Sequence, residues 1–196
     1  MLYLVRHART VANAERRLQG RLDLPLDEFG RQQADALRSA LPTIDRLVSS
    51  PMLRTRQTAE VFGIEPEIDD RWREMDYGVL EGVRLADVPA DVWDSWIRDP
   101  DFAPESGESL RSLSARVVAA CEELVEDARS REVVVVSHAT PVKAAMAWSL
   151  GAPVESVWRS FIDQASITRI AIRDRGPVLL GFNHVPFDPA AVGTNP

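Results

Sequence analysis

Four consecutive valines, Val133 to Val136, constrain the fold of this chain more than any other run. An unbroken β-branched run without polar alternation fits a strand covered on both faces, in the interior of a parallel sheet. Ser137-His138-Ala139-Thr140-Pro141 follows at its carboxyl end. The chain opens on a second apolar run, Leu2 to Val5, which ends in Arg6-His7. The chain has three histidines, and two of them follow strand-like runs at equivalent positions. Right-handed crossover connections allow the two strands to be neighbours, with both imidazoles on one edge. Ligands of open α/β sheets bind beyond the carboxyl ends of the strands. Arg6, His7, Arg9, Thr10 and Asn13 at such an edge suit an anion, through one cation type and several short hydrogen-bonding groups.

The segments between and after these runs alternate. Asp27 is a good N-cap for a helix striped by Ala34, Leu37, Ala40 and Leu41 and ended by Pro42. Arg46 to Ser49 reads as a strand, and Met52 to Phe62 returns to helical spacing with Arg54 in its first turn. Residues 64–70 read as irregular. A long amphipathic helix is predicted over Glu108 to Arg129. Pro141 suits the first turn of a helix running to Leu150, which Gly151 closes. Ser166 to Ile172 and Val178 to Phe182 read as a hairpin joined around Gly176-Pro177. This order predicts a three-layer α/β fold: a mostly parallel central sheet, helices on both faces, and an antiparallel edge from the hairpin. One domain is expected over residues 1–186, followed by a flexible tail over 187–196. Residues 83–107, rich in Pro, Asp and Trp, form an insertion. It reads equally as a lid over a site and as a surface segment whose tryptophans fill a minor core.

Composition narrows the function. The 196 residues are 45% hydrophobic and 27% charged, enough for one sizeable core. A net charge of −7 gives no overall attraction to nucleic acid or to an anionic membrane, so an anionic ligand needs a local positive pocket. The single cysteine, Cys121, excludes an intramolecular disulfide and reads as a packed thiol on the long helix. No apolar run approaches the roughly 20 residues that span a bilayer. Arg6 and His7 interrupt the first run too early for a signal peptide, so a cytoplasmic location is expected. The histidines lack the carboxylate or cysteine spacing of a metal site, and no cofactor is expected.

Longer motifs sharpen the picture. Arg6-His7-Ala8-Arg9-Thr10-Val11-Ala12-Asn13 resembles the R-H-G-x-T-x-x-N opening of the histidine phosphatase superfamily, in its phosphoglycerate-mutase-like branch. Gly20, Asp23, Pro25, Leu26, Gly30, Gln33 and Ala34 continue that family pattern, as do Ser49-Ser50-Pro51, Arg54, Gln57, Thr58 and Ala59. Glu74, Gly78, Glu81 and Gly82 match a later motif, and Ser137-His138-Ala139 the last. The segment Ser137 to Lys143 resembles α-ribazole phosphatases and their acid-phosphatase relatives rather than the mutases.

The resemblance implies that His7 is a nucleophile, phosphorylated in turnover, with one ring nitrogen held by a backbone carbonyl. It implies that Arg6, Arg54 and His138 form the phosphate pocket, and that Glu74 donates the proton to the leaving group. Asp76 and Glu81 compete with Glu74, and spacing does not separate the three. Thr10 and Asn13 read as lesser substrate contacts or as local cap bonds. Gln19, Gly20 and Arg21 read as contacts to the remote part of the substrate or as an exposed loop. Lys143 reads as a distal cation or as a side chain lying along a helix surface. Ala8 and Ala139 stand where the family carries glycine, at backbone that closely approaches the phosphate; a positive φ at either site would strain alanine. The function implied is a metal-independent phosphatase of small-molecule phosphate monoesters. The alternatives are a phosphoglycerate-type mutase and a non-catalytic phospho-ligand binder. The expected partner is a small phosphorylated metabolite, with a homodimer as an option that the resemblance leaves open.

Overall fold

The computed structural model describes residues 1–187. The six strands are β1 (Leu2–Arg6), β2 (Arg46–Ser49), β3 (Glu67–Ile68), β4 (Val133–Ser137), β5 (Ile167–Arg173) and β6 (Gly176–His184). They form one sheet in the order β3-β2-β4-β1-β5-β6. The pairs β3/β2, β2/β4 and β4/β1 are parallel, whereas β1/β5 and β5/β6 are antiparallel. The valine run is therefore the third strand of the four in the parallel part, flanked by β2 and β1. Its side chains alternate between two cores. Val133 and Val135 join Leu2, Leu4 and the buried faces of two later helices, while Val134 and Val136 join Val5, Leu47, Ala34 and Leu37 on the opposite face. A run that serves both layers needs no polar alternation.

Among the described residues, six α-helices complete the layers: α1 (Val11–Ala14), α2 (Glu28–Leu37), α3 (Leu53–Ala59), α4 (Ala90–Arg98), α5 (Leu110–Ser130) and α6 (Ala139–Leu150). Asp27 caps α2 by accepting from the Gly30 N–H at 2.7 Å. Gly30 is required there, because a Cβ would lie 2.0 Å from the Arg9 carbonyl oxygen. The lack of a side chain lets α2 press against the loop that leaves β1. Gly151 ends α6 in the left-handed region at φ 59°, as its position after Leu150 suggests.

Several local expectations change. The irregular stretch 64–70 contains the two-residue edge strand β3, too short to show any periodicity. Helix α5 starts after the Ser109 cap, and Glu108 instead pairs with Arg116 at 2.7 Å. The hairpin turns at Asp174-Arg175, and Gly176-Pro177 open β6. Gly176 takes φ 116°, and proline is tolerated on an outer strand that needs no further ladder donor. In the 83–107 segment, Trp96 is buried and packs edge-on against Tyr77, Trp93 and Phe102 and stacks with Trp158. These aromatic rings belong to the larger core. The expected tail begins with Phe187, which is buried with its ring 5.0 Å from that of Phe29. The rest of that tail lies outside the described residues. Among the described residues, no helix is long and apolar enough to cross a membrane.

Candidate active site

The parallel pairing of β1 with β4 puts Arg6 opposite Ser137, so the next residues, His7 and His138, leave the sheet side by side. The His7 N–H donates to the Ser137 carbonyl at 2.8 Å, and the two imidazole centroids are 5.1 Å apart. The third strand end supplies Arg54 through α3, which follows β2.

The two rings are wired differently. His7 Nδ1 lies 2.7 Å from the Ala8 carbonyl oxygen. A carbonyl only accepts, so Nδ1 carries the proton and Nε2 keeps a lone pair with no partner among the described residues. His138 is fully buried between two partners. Arg54 Nε donates to its Nδ1 at 3.2 Å, and its Nε2 lies 2.8 Å from Ser50 Oγ. A guanidinium only donates, so His138 carries its proton on Nε2 and donates it to Ser50. Burial holds both imidazole pKa values well below the ordinary range. The Arg54 charge adds to this in both rings, with Arg6 next for His7 and the His7 ring next for His138. Both rings are neutral at pH 7.

Arg54 is completely buried, and burial pushes its pKa down to about 10. Its Nη1 donates to the Leu22 carbonyl at 2.8 Å and its Nη2 to the Gly20 carbonyl at 2.7 Å. With the His138 bond, three of its five N–H groups serve the protein and two remain for a ligand. Gly20 takes φ 52°, and a Cβ there would lie 2.3 Å from Glu81 Oε1, so only glycine closes this loop. Arg6 donates from Nη1 to the Ile162 carbonyl at 2.6 Å, and its buried Nε has no partner. An orphaned guanidinium donor beside a cavity calls for an anion.

Glu74 reaches the same cavity. Its Oε1 accepts from the Met75 N–H at 2.8 Å, and its carboxylate lies 3.3 and 3.4 Å from the Thr140 N–H, at the start of α6. A carboxylate at a helix N-terminus is favourably placed. The two competitors are engaged elsewhere. Asp76 accepts from the Gly78 N–H at 2.9 Å, and Glu81 accepts from the Arg21 N–H at 2.6 Å. Neither lines the cavity, whereas Glu74 does.

The cavity holds about 310 Å³ and is lined by Arg6, His7, Arg54, Glu74, Ala139, Asn13, Gln19 and Gly20 from the expected set. Thr10, His138 and Arg21 are not part of its lining. Thr10 caps α1, with Asn13 closing a capping box, and its hydroxyl also donates to Gln19 Oε1 at 2.8 Å. His138 lies behind Arg54. Arg21 turns toward Glu108, 3.6 Å away. Lys143, one turn beyond Ala139, is half-buried; burial lowers its pKa, and the Glu74 charge opposes that shift. Ala8 and Ala139 carry no strain, since neither has a positive φ. Arg16, Arg17, Leu18, Tyr77, Leu85, Phe161 and Gln164 complete the lining and carry no motif. Arg116 is a further unforeseen residue. From α5 it donates to the carbonyls of Arg71, Arg73 and Glu74 and so holds the segment that presents Glu74. Among the described residues, no three His, Cys, Asp or Glu side chains gather into a group that could hold a metal ion.

A parallel sheet with two histidines at adjacent strand ends and arginines around one of them defines a phosphoglycerate-mutase-like α/β protein. A mycobacterial glucosyl-3-phosphoglycerate phosphatase, solved with VO3, superposes with a TM-score of 0.83 at 32% identity, covering 93% of this chain and 98% of that one. The chain belongs to the histidine phosphatase superfamily, branch 1, whose family model matches residues 2–185. It is 37% identical over 180 residues to a Citrobacter koseri protein named "Probable phosphoglycerate mutase GpmB", covering 86% of this chain and 83% of that one. It is 35% identical over 193 residues to phosphoserine phosphatase 1 of Hydrogenobacter thermophilus, covering 93% and 91% of the two chains. Relatives named as phosphatases and as mutases thus each match more than four-fifths of the chain.

Proposed function

We propose that the protein is a metal-independent phosphatase that hydrolyses small-molecule phosphate monoesters through a phosphohistidine on His7. The observation that carries this reading is the free Nε2 of a neutral His7, set among Arg6, Arg54 and Glu74. Nε2 attacks phosphorus as the ester P–O bond breaks. Glu74 gives a proton to the departing alkoxide. The resulting carboxylate then takes a proton from water as that water attacks phosphorus. The P–N bond breaks, phosphate leaves, and His7 regains its lone pair. Throughout, Nδ1–H stays on the Ala8 carbonyl and fixes the tautomer. The free N–H groups of Arg6 and Arg54 hold the equatorial oxygens, where most of the available stabilisation of a phosphoryl transition state lies. His138 positions Arg54 from behind.

The mutase reading has the name of the Citrobacter koseri relative in its favour. Against it stands the acidity of 83–107, where Asp87, Asp91, Asp94, Asp99, Asp101 and Glu105 outnumber Arg84 and Arg98. A highly charged bisphosphate is disfavoured near such a surface. The deciding experiment measures phosphate release from a panel of monoesters in EDTA, wild type beside His7→Ala. The panel includes 3-phosphoglycerate with and without a bisphosphoglycerate primer. The expected outcome is His7-dependent phosphate release that EDTA does not touch. Isomerisation without release would make the protein a mutase, and a strict metal requirement would sink the mechanism.

A further inference from the structure

The outer half of the cavity differs in character from the inner half. Phe161 lines it with two-thirds of its surface exposed (67%), and Leu85 lines it at 41%. Two large apolar side chains this exposed, facing a polar pocket, leave apolar surface in water that a ligand would cover. Each is held by backbone rather than by its own packing. The Leu85 N–H donates to the Arg16 carbonyl at 2.8 Å, and the Leu18 N–H to Val83 at 2.9 Å, which zips the loop carrying Leu85 onto the loop carrying Arg16. On the opposite wall, Arg6 bonds the Ile162 carbonyl, and the Ala165 N–H bonds the His7 carbonyl. Asn183 of β6 grips Asp163 twice, accepting from its N–H at 2.6 Å and donating to its carboxylate at 2.9 Å. These bonds tie the segment carrying Phe161 to the catalytic strand end and leave the Phe161 ring facing the cavity.

Arg16 stands on the rim beside them. Its φ is 55°, a conformation an arginine adopts only when its surroundings impose it. Among the described residues it makes no ion pair or side-chain hydrogen bond, whereas its neighbour Arg17 bonds Glu15 at 2.6 Å and the Gly82 carbonyl at 2.8 Å. A net charge of −7 supplies many acids, and none of those described is spent on Arg16.

We propose that Phe161, Leu85 and Arg16 form a distal subsite. It selects phosphate monoesters whose alcohol carries a ring or other apolar body ending in an anionic group. This inference rests on the phosphatase reading for its kinetic form. With phosphate between His7 and the two inner arginines, the alcohol leaves toward the mouth. Its apolar body lies against Phe161 and Leu85, and its far end meets the Arg16 guanidinium. The subsite acts on binding of the leaving portion, remote from the bonds that change.

The test uses three alkyl esters of matched leaving-group chemistry: n-propyl phosphate, 3-phenylpropyl phosphate and 3-(4-carboxyphenyl)propyl phosphate. In wild type, kcat/KM should rise about tenfold at the phenyl group, the scale of one aromatic contact with its buried area, and severalfold again at the carboxylate. Phe161→Ala should collapse the first ratio, and Phe161→Tyr should restore it. Arg16→Gln should collapse the second ratio and leave the first. Ratios that are flat in wild type, or that survive both variants, overturn the subsite. Binding of the same three esters, followed by tryptophan fluorescence, separates this inference from the one beneath it. If no ester is hydrolysed but the graded affinities and their loss in the variants appear, the subsite stands and the phosphatase reading falls. If propyl phosphate is hydrolysed and the affinities are ungraded, the subsite falls and the phosphatase reading stands.

Discussion

The ends of β1 and β4 are close to twins in sequence and opposites in wiring. Each is an apolar strand finished by a polar residue and a histidine, and the strands pair in register from Leu2 opposite Val133 to Arg6 opposite Ser137. Each imidazole is kept uncharged first by burial and then by the nearby Arg54. The difference is in the partners. His7 has one nitrogen on a carbonyl and one free, while His138 has both nitrogens taken, by Arg54 and by Ser50. A neutral imidazole needs a bare lone pair to attack phosphorus, so the hydrogen bonds rather than the sequence context assign the roles. In the proposed mechanism one strand end reacts, and the other holds the arginine that receives the charge.

The sharpest way to break this comparison is to exchange the losses. His7→Ala should lower kcat on the order of 10^4-fold or more, as removal of a nucleophile does. Brief reaction with a 32P-labelled ester followed by quenching should leave no acid-labile label on the protein. His138→Ala should cost less, about 10^2-fold, and should retain the label, since removal of the whole buried ring leaves a hole into which Arg54 can shift, but the nucleophile remains. Equal losses, or label that depends on His138, would reverse the assignment. Glu74→Gln sharpens the comparison from the leaving-group side. It should slow alkyl esters about 10^2-fold, the usual scale of general acid catalysis, and slow p-nitrophenyl phosphate much less, because that leaving group departs without a proton. Equal slowing of both would remove Glu74 as the acid.

Protonation probes both strand ends at once. The unfolded chain binds protons on these histidines near the ordinary imidazole pKa of about 6.5, and the folded chain does not. Folding is therefore fully favourable above that pH and weakens as pH falls below it. The cost is about 1.4 kcal/mol per histidine per pH unit, a tenfold change in the folding equilibrium for each. Denaturant midpoints between pH 7 and 5 measure this, with His7→Gln and His138→Gln each expected to flatten the slope. Imidazole NMR signals of either residue titrating near 6.5 would refute the neutral pair.

What was readable in the sequence follows a physical line. Strands announce themselves by unbroken apolar runs, and residues just after them inherit a known place at the sheet edge. His7, His138, Arg6 and Arg54 were therefore legible. Glu74 needed a family motif, because Asp76 and Glu81 satisfy the same spacing; of the three, Glu74 alone lines the cavity. Loops were the least legible. Arg21, read equally as a substrate contact and as part of an exposed loop, points to Glu108, while Arg16 of the same segment lines the cavity. The direction of both side chains depends on left-handed turns at Arg16 and Gly20, which composition does not announce. Arg116 was invisible for a different reason. It binds carbonyls 42 to 45 residues away in the chain, and carbonyls are the one group every residue shares.

The smallest expected effect tests the finest part of the contrast, the proton on His138. Ser50 Oγ receives that proton at 2.8 Å in a fully buried place. Ser50→Ala leaves a buried N–H without an acceptor and lets the ring turn away from Arg54. A buried unsatisfied donor costs about 1–3 kcal/mol of stability. Catalysis should fall only about threefold, because two carbonyls still hold Arg54 when His138 lets go. The loss should fall on KM more than on kcat, since Arg54 binds phosphate in the ground state as well as in the transition state. Ser50→Thr, which keeps the hydroxyl, should recover the stability. A variant Ser50→Ala that loses activity as heavily as His138→Ala would mean that the ring itself, rather than its grip on Arg54, meets the phosphate. The two strand ends would then differ in degree and not in kind.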